Sequence, residues 1–245
     1  IQIDYDPSQD QIVSLAFGPH GPYALMVKTN ENQAKGHLTV TPAEIKAGTH
    51  NQAMLKELES WYMHQVLGPA IPNYIGRWMN TGWVHSWKFK YADRNAKSRL
   101  VAHGNEDMRD LTYLATYSGT AHPGHVRILI IFGLTNGWLI GIADVPTAFL
   151  KADDDLSQPL VMKLPKLLPP GAEKFGYQPG AYHQQLRAIY GTPEASKRFH
   201  DLLRAEFAKR GWTEKQESIF IQRDNKEGPT AVCAAHVDDL IALSK

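Results

Sequence analysis

The chain has 245 residues, 43% of them hydrophobic, and a net charge of +1: enough apolar material for one large domain or two small ones, and too balanced to be a globally basic nucleic-acid binder, so that any basic surface must be local. Its one cysteine, Cys233, lies in an apolar run, reads as a buried inert thiol, and excludes an internal disulfide framework, which fits a reducing compartment. No apolar run approaches the ~20 residues that span a bilayer, and no signal-peptide pattern is present, so no membrane partner is expected.

The first residue is Ile1, so the chain reads as an excised segment. Residues 1–40 carry short apolar runs, Gln11 to Phe17 and Tyr23 to Val27, broken by Gly18, Gly21 and Asn30; they read as short strands or irregular chain and are not assigned further. Thr41-Pro42-Ala43-Glu44 is a helix start with proline in the first turn. Ala53, Leu55, Leu58, Trp61, Tyr62 and Val66 then recur at helical spacing, which predicts a helix over 42–67 ended by Gly68-Pro69. Trp83 to Tyr91 and Lys97 to Ala102 read as a hairpin turning at Asp93-Arg94-Asn95. Val126 to Thr135 reads as a buried helix stopped by Asn136-Gly137. Trp138 to Asp144 is an apolar strand, followed by a helical turn over Thr147 to Leu150. Residues 151–180 are loop-rich, with one strand, Leu160 to Leu164. Residues 193–210 form the clearest helix: Pro193 starts it, Ala195, Phe199, Leu202, Leu203, Glu206 and Phe207 mark one face, and Gly211 stops it. Ile219 to Gln222 and Ala231 to Ser244 are strands.

The sharpest chemical signal is His236-Val237-Asp238-Asp239, two adjacent aspartates between apolar stretches. The pattern predicts a β-hairpin with a carboxylate pair at its turn. Ionised carboxylates that close repel each other unless a cation sits between them. Asp144 ends another apolar strand. Three carboxylates at two strand ends are what a two-magnesium phosphoryl-transfer site requires; the alternative is an ordinary aspartate-bearing turn.

Six segments in order carry a resemblance: Trp83-Val84-His85-Ser86-Trp87-Lys88; Lys97-Ser98-Arg99-Leu100-Val101-Ala102-His103-Gly104; Asp144-Val145-Pro146-Thr147-Ala148-Phe149-Leu150; Ala188-Ile189-Tyr190-Gly191; Gly211-Trp212; and His236-Val237-Asp238-Asp239. Together they resemble the reverse transcriptase of copia-type LTR retrotransposons, from about Glu57 to the last residue. The resemblance implies an α+β fold with right-hand polymerase fingers and palm, the antiparallel palm sheet flanked by helices. It implies a fingers-like region over 41–125 and a palm-like region over 126–245, with room for fingers insertions within 150–195. It implies RNA-directed DNA polymerisation with two Mg2+ ions, for which Mn2+ can substitute. Asp144, Asp238 and Asp239 would hold the metals. Lys97, Arg99, Phe149, Tyr190 and Gly191 would bind the nucleotide, the Phe149 ring excluding a ribose 2′-hydroxyl. His236, Arg127, Trp83 and Trp87 would touch primer or template. The partners implied are an RNA or DNA template with its primer, dNTPs, and the integrase and RNase H of a Pol polyprotein, in a cytoplasmic virus-like particle or the nucleus.

His236 replaces the family's usual tyrosine, Thr192-Pro193-Glu194 replaces Leu-Lys-Gln, and the chain stops at Lys245, where a thumb would follow. Each candidate has a plainer reading. Lys97 and Arg99 could be a solvated strand face, Phe149 core, Tyr190-Gly191 an ordinary turn, and Arg127 a surface ion pair. Arg187, Lys197, Arg198, Arg204, Lys209 and Arg210 form a basic stretch that is either a nucleic-acid track or a solvated helix face. Asp153-Asp154-Asp155 reads as a solvated loop. Two other function classes compete: a catalytically inactive, domesticated nucleic-acid-binding domain, and, ranked last, a metal-dependent phosphohydrolase using His236, Asp238 and Asp239.

Overall fold

The computed structural model describes residues 40–90, 93–109, 116–153, 158–224 and 228–245, together with four short strands before them. Those strands, β1 (Tyr5–Asp6), β2 (Gln11–Ile12), β3 (Ala16–Gly18) and β4 (Gly21–Tyr23), pair β1 with β2 and β3 with β4. Among the described residues, four helices and two five-stranded sheets complete a mixed α+β chain.

The helix start at Thr41 forms as its residues dictate. The Thr41 hydroxyl accepts from the Glu44 amide, and the Glu44 carboxylate accepts from the Thr41 amide at 2.7 Å. The helix it opens, α1 (Pro42–Lys46), is only five residues long. Gly48, at φ +77°, turns the chain, and α2 (Asn51–Met63) begins anew. The single helix expected over 42–67 is therefore two, and Gly68-Pro69 lie inside a strand, β5 (Leu67–Ala70). Of the predicted stripe, helix α2 buries Leu58 and Trp61, with Met54 in place of Leu55, and leaves Tyr62 exposed.

The first sheet has the order β5-β10-β9-β6-β7, with β6 (Met79–Lys90), β7 (Asp93–Ala102), β9 (Val161–Lys163) and β10 (Tyr182–Gln185). Strands β6 and β7 form one long hairpin, from Thr81 opposite Ala102 to Lys90 opposite Asp93. Asp93, Arg94 and Asn95 are thus strand residues rather than the turn. The Arg94 guanidinium lies 3.9 Å over the Trp87 ring and bonds Glu44 at 2.9 Å. The turn itself falls outside the described residues. One face of this sheet packs on α2, burying Leu58, Trp61, Met79, Leu100, Met162 and Ile189 together.

The second sheet is antiparallel throughout, in the order β11-β12-β13-β14-β8, with β8 (Leu139–Asp144), β11 (Trp212–Gln216), β12 (Ile219–Asp224), β13 (Gly228–His236) and β14 (Asp239–Ser244). Helix α3 (Pro123–Thr135) ends at Asn136 and Gly137 as its sequence predicts. It is not the buried helix expected: Ile128 and Ile131 are 63% and 60% exposed, and only Gly133 is fully buried. Only one stripe of it, Val126 and Leu129, packs on the sheet, against Ile219, Val232 and Ala234. Helix α4 (Ala195–Lys209) packs on the opposite face of the sheet, with Leu203 and Phe207 against Phe220 and Cys233. Cys233 is a free, buried thiol whose pKa burial pushes up to about 11, as an inert thiol requires.

Candidate active site

The predicted carboxylate hairpin forms. Strands β13 and β14 turn through Val237 and Asp238, with His236 opposite Asp239. Val237 takes a φ of +56° at the first central position, a conformation ordinarily left to glycine or asparagine. The next pairing places Asp239 directly opposite Asp144 of β8. Directly opposed residues share a sheet face with Cβ atoms about 4.5–5.5 Å apart, so these two carboxylates stand side by side at one strand end. The Asp238 carbonyl accepts from the Val145 amide at 2.9 Å, which ties the turn to the residue after Asp144. Among the described residues no three His, Cys, Asp or Glu side chains are gathered tightly enough to cage an ion unaided.

Tyr190 is the hub beside these acids. Burial raises its phenol pKa, and Glu57, Asp238 and Asp144 add to the rise, while Arg99 opposes it. Both Asp144 and Asp238 are therefore close enough to be felt at the ring. The Arg99 guanidinium lies 5.0 Å over that ring, and Phe149 meets it edge-on at 4.8 Å. Phe149 is half-buried against Phe199 as well, packed on the cluster of Ala148, Ala188 and Ala195. It is presented by a short turn, Ala148–Lys151, that opens at Thr147 in the left-handed region. Lys97 lies two residues from Arg99 on the same face of β7, and its ammonium pKa is lowered by burial and by the neighbouring Arg99 and Lys88. Arg99, Phe149, Tyr190, Asp144 and Asp238 are thus brought together from four separate segments.

Gly191 has a φ of +96°, and a Cβ there would run into the Ala102 carbonyl oxygen. The close approach it permits is to the chain's own β7, whose Ala102 amide bonds the Tyr190 carbonyl at 2.7 Å. That contact holds the Tyr190 turn against the cation-bearing hairpin.

The other candidates are placed differently. Trp87 is 8% exposed, wedged between His50 and Arg94, and offers no face to a template base. Trp83 packs on the first core, with its indole N–H donating to the Leu167 carbonyl at 2.8 Å. Trp87 is therefore corrected to a structural residue, while Trp83 is half-buried on the same inner face of the hairpin. His236 is exposed at the end of β13, beside Asp239. Arg127 is exposed on the first turns of α3. In the basic stretch, Arg187 pairs with Asp153, Lys197 with Asp201, Arg204 with Glu214, and Lys209 and Arg210 with Glu206. Most of its charge is locally compensated, as in a solvated helix face.

Two contributors were not visible beforehand. Glu57 of α2 accepts from the Leu100 amide and the Trp61 indole, each at 3.3 Å; burial raises its pKa, while Arg99 and Lys97 pull it down. Arg109 binds Asp107 at 2.6 Å and Glu194 at 2.8 Å, locking the segment after β7 to the start of α4. A helical carboxylate four residues before a tryptophan, and a glutamate just before a predicted helix, are the only traces these leave in sequence.

Opposed carboxylates thus stand at a strand end, with Arg99 and Lys97 on the β6–β7 hairpin. The chain belongs to the reverse transcriptase family: residues 72–245, which include all of the second sheet, match the family described as reverse transcriptase (RNA-dependent DNA polymerase). No curated protein matches it.

Proposed function

We propose that this protein is a copia-type retrotransposon reverse transcriptase, an RNA-directed DNA polymerase that adds deoxynucleotides to a primer on an RNA or DNA template. The observation that carries the reading is the direct pairing of Asp239 with Asp144, one residue from Asp238, beside the Tyr190–Arg99 contact. The first sheet then plays the fingers and the second the palm.

Asp144, Asp238 and Asp239 would hold the metal ions. Their hard oxygen donors suit magnesium, which takes one or two protein carboxylates and fills its shell with phosphate oxygens and water; a set of acids that does not close into a cage fits that habit. Two such ions, when bound, would lower the pKa of the primer hydroxyl and neutralise the departing pyrophosphate. The protein's own groups do the positioning. Arg99 and Lys97 receive the triphosphate, and an arriving anion offsets the burial and the neighbouring positive charge that lower the Lys97 pKa. Tyr190 and Phe149 form an aromatic wall at the sugar, with Phe149 placed to exclude a 2′-hydroxyl.

The test is primer extension on RNA and DNA templates, with magnesium and then manganese. Extension by the wild type that vanishes in Asp238→Asn/Asp239→Asn supports the reading. Extension that survives that substitution, or none from the wild type with either metal, rejects it in favour of a nucleic-acid-binding domain without catalysis.

A further inference from the structure

A cavity of about 330 Å³ opens beside the first sheet, between the last turn of α2, the edge strand β5 and the turn Ala172–Phe175. None of the residues of the acidic centre lines it. Aromatic rings line it in a chain: Tyr62 meets Phe175 at 5.5 Å, Phe175 meets Tyr177 at 6.4 Å, and Tyr177 stands edge-on to His183 at 5.8 Å. Leu67, Pro69 and Ala70 of β5 add aliphatic wall, and among the described residues that line it there is no Asp, Glu, Lys or Arg. Tyr62, Pro69 and Ala70 are exposed, so the cavity opens to solvent on that side. Its inner wall is His183, 2% exposed. The His183 Nδ1 lies 2.9 Å from the Gly68 carbonyl oxygen. That oxygen only accepts, so Nδ1 carries the hydrogen and Nε2 is an acceptor. Nε2 is buried and has no hydrogen-bond partner among the described residues. Burial lowers the His183 pKa and raises that of the Tyr177 phenol, so both stay neutral. A buried acceptor left unpaired is costly, and a donor delivered into the cavity would remove that cost.

We propose that this cavity binds a small, neutral heteroaromatic molecule of the indole class, its ring lying among Tyr62, Phe175 and Tyr177 and its N–H donating to His183 Nε2. Clefts of roughly 300–1,000 Å³ with apolar walls and a few polar groups are the ordinary form of a small-molecule site. Aromatic walls favour a flat ring, which they meet edge-on or offset. An indole nitrogen only donates, which matches a wall whose buried, unpaired atom only accepts. The lack of a lining cation disfavours a phosphorylated ligand, and the lack of a lining carboxylate disfavours an amine. The inference does not rest on the polymerase reading, and its test uses neither primer nor nucleotide triphosphate.

The experiment is calorimetric titration of the whole chain with indole and with benzofuran, the same bicyclic shape with an oxygen in place of the N–H. The wild type is expected to bind indole about two- to tenfold more tightly, the worth of one neutral hydrogen bond; this comparison needs no variant. His183→Phe keeps a ring and removes the acceptor, and should erase the difference. Ala70 lies directly opposite His183 across the β5–β10 pair, so the two share a sheet face. Ala70→Phe therefore fills the cavity in front of the imidazole and should weaken both ligands at least about tenfold. Because Ala70 is exposed, that variant should keep the wild-type circular dichroism and melting temperature. No binding of indole by the wild type at millimolar concentration overturns the proposal. Equal affinities for indole and benzofuran overturn it too, as does indole binding that a folded Ala70→Phe protein retains in full. Adenosine or a tryptophan-bearing tripeptide binding more tightly than indole would also overturn it, marking a nucleoside site or a seat for a partner's side chain. A wild type that binds indole here but extends no primer leaves this cavity standing and rejects only the polymerase reading.

Discussion

Asp144 and Asp239 are direct partners across an antiparallel strand pair, two like charges held side by side at the end of the second sheet. Like charges in that relationship destabilise a sheet. A fold that keeps them bears a cost that a bound cation would remove. Asp239→Asn is therefore expected to stabilise the metal-free protein by a few tenths to about 1 kcal/mol at low salt. The gain should shrink as salt is added, since the pair is exposed and screened. Magnesium should raise the melting temperature of the wild type more than that of the variant. A variant that melts no higher at low salt, or that gains as much from magnesium, would show that the pair is not a charge held for an ion.

Gly191 and Gly104 supply a second expectation. A Cβ on Gly191 would meet the Ala102 carbonyl oxygen, and one on Gly104 would meet the Gly191 carbonyl oxygen. Gly191→Ala also forces alanine into a φ of +96°, and should cost more than about 2 kcal/mol. Gly104→Ala lacks the dihedral penalty and should cost less. Because both substitutions push apart the same two segments, the double variant should lose less than the sum of the singles. Denaturant titration of the three proteins checks this; strict additivity would mean that the two glycines act separately.

What the sequence made legible, and what it hid, follows from range. The three aspartates stood out because adjacent charges ending apolar strands form a pattern in one dimension. The β6–β7 hairpin was legible from its alternation, but its turn was misplaced: the local turn preference of Asp93-Arg94-Asn95 lost to the packing of Arg94 on Trp87 and Glu44. Strands β5, β10 and β11 escaped notice because Leu-Gly-Pro-Ala, Tyr-His-Gln-Gln and Trp-Thr-Glu-Lys-Gln lack an apolar alternation, and their pairing is supplied by distant partners. Trp83 and Trp87 resembled stacking residues by type, yet the face each occupies is decided by where α2 packs. Glu57 and His183 gain their settings only from strands remote in the chain.

Glu57 yields a third expectation. One of its oxygens accepts from both the Leu100 amide and the Trp61 indole. Glu57→Ala leaves those donors without a partner and should cost about 1–3 kcal/mol. Glu57→Gln keeps an acceptor in place and removes a buried charge. Because burial raises the Glu57 pKa, the fold favours its neutral form, so the glutamine variant should match or exceed wild-type stability at neutral pH. Urea unfolding separates the cases: equal losses in both variants would mean that the charge, rather than the two hydrogen bonds, is what the fold requires.

The last expectation concerns acid. His50 is buried, stacked on His85 at 5.0 Å and tilted against Trp87, and neither of its ring nitrogens has a hydrogen-bond partner. Burial lowers the pKa of His50, with Arg94 also lowering it and Glu44 opposing. Burial and the neighbouring His50 lower that of His85, whose Nδ1 lies 2.9 Å from the Ser98 hydroxyl. The sign follows from linkage. Both imidazoles are neutral in the folded state at a pH where the unfolded chain already takes up protons. Stability is therefore fully present above the ordinary histidine value of 6.5 and is lost as pH falls from there through the depressed folded values. Carboxylates with lowered pKa values, such as Glu44 and Glu214, lose their contribution only further down, below the ordinary 4.5. His183, buried and likewise depressed, shares the upper window. His50→Phe preserves the stacked ring and removes one of these titrations, so the fall in melting temperature between about pH 7 and 5 should become shallower. Thermal melts of the two proteins across that range decide it: parallel profiles would show that the stacked pair does not set the acid limit of the fold.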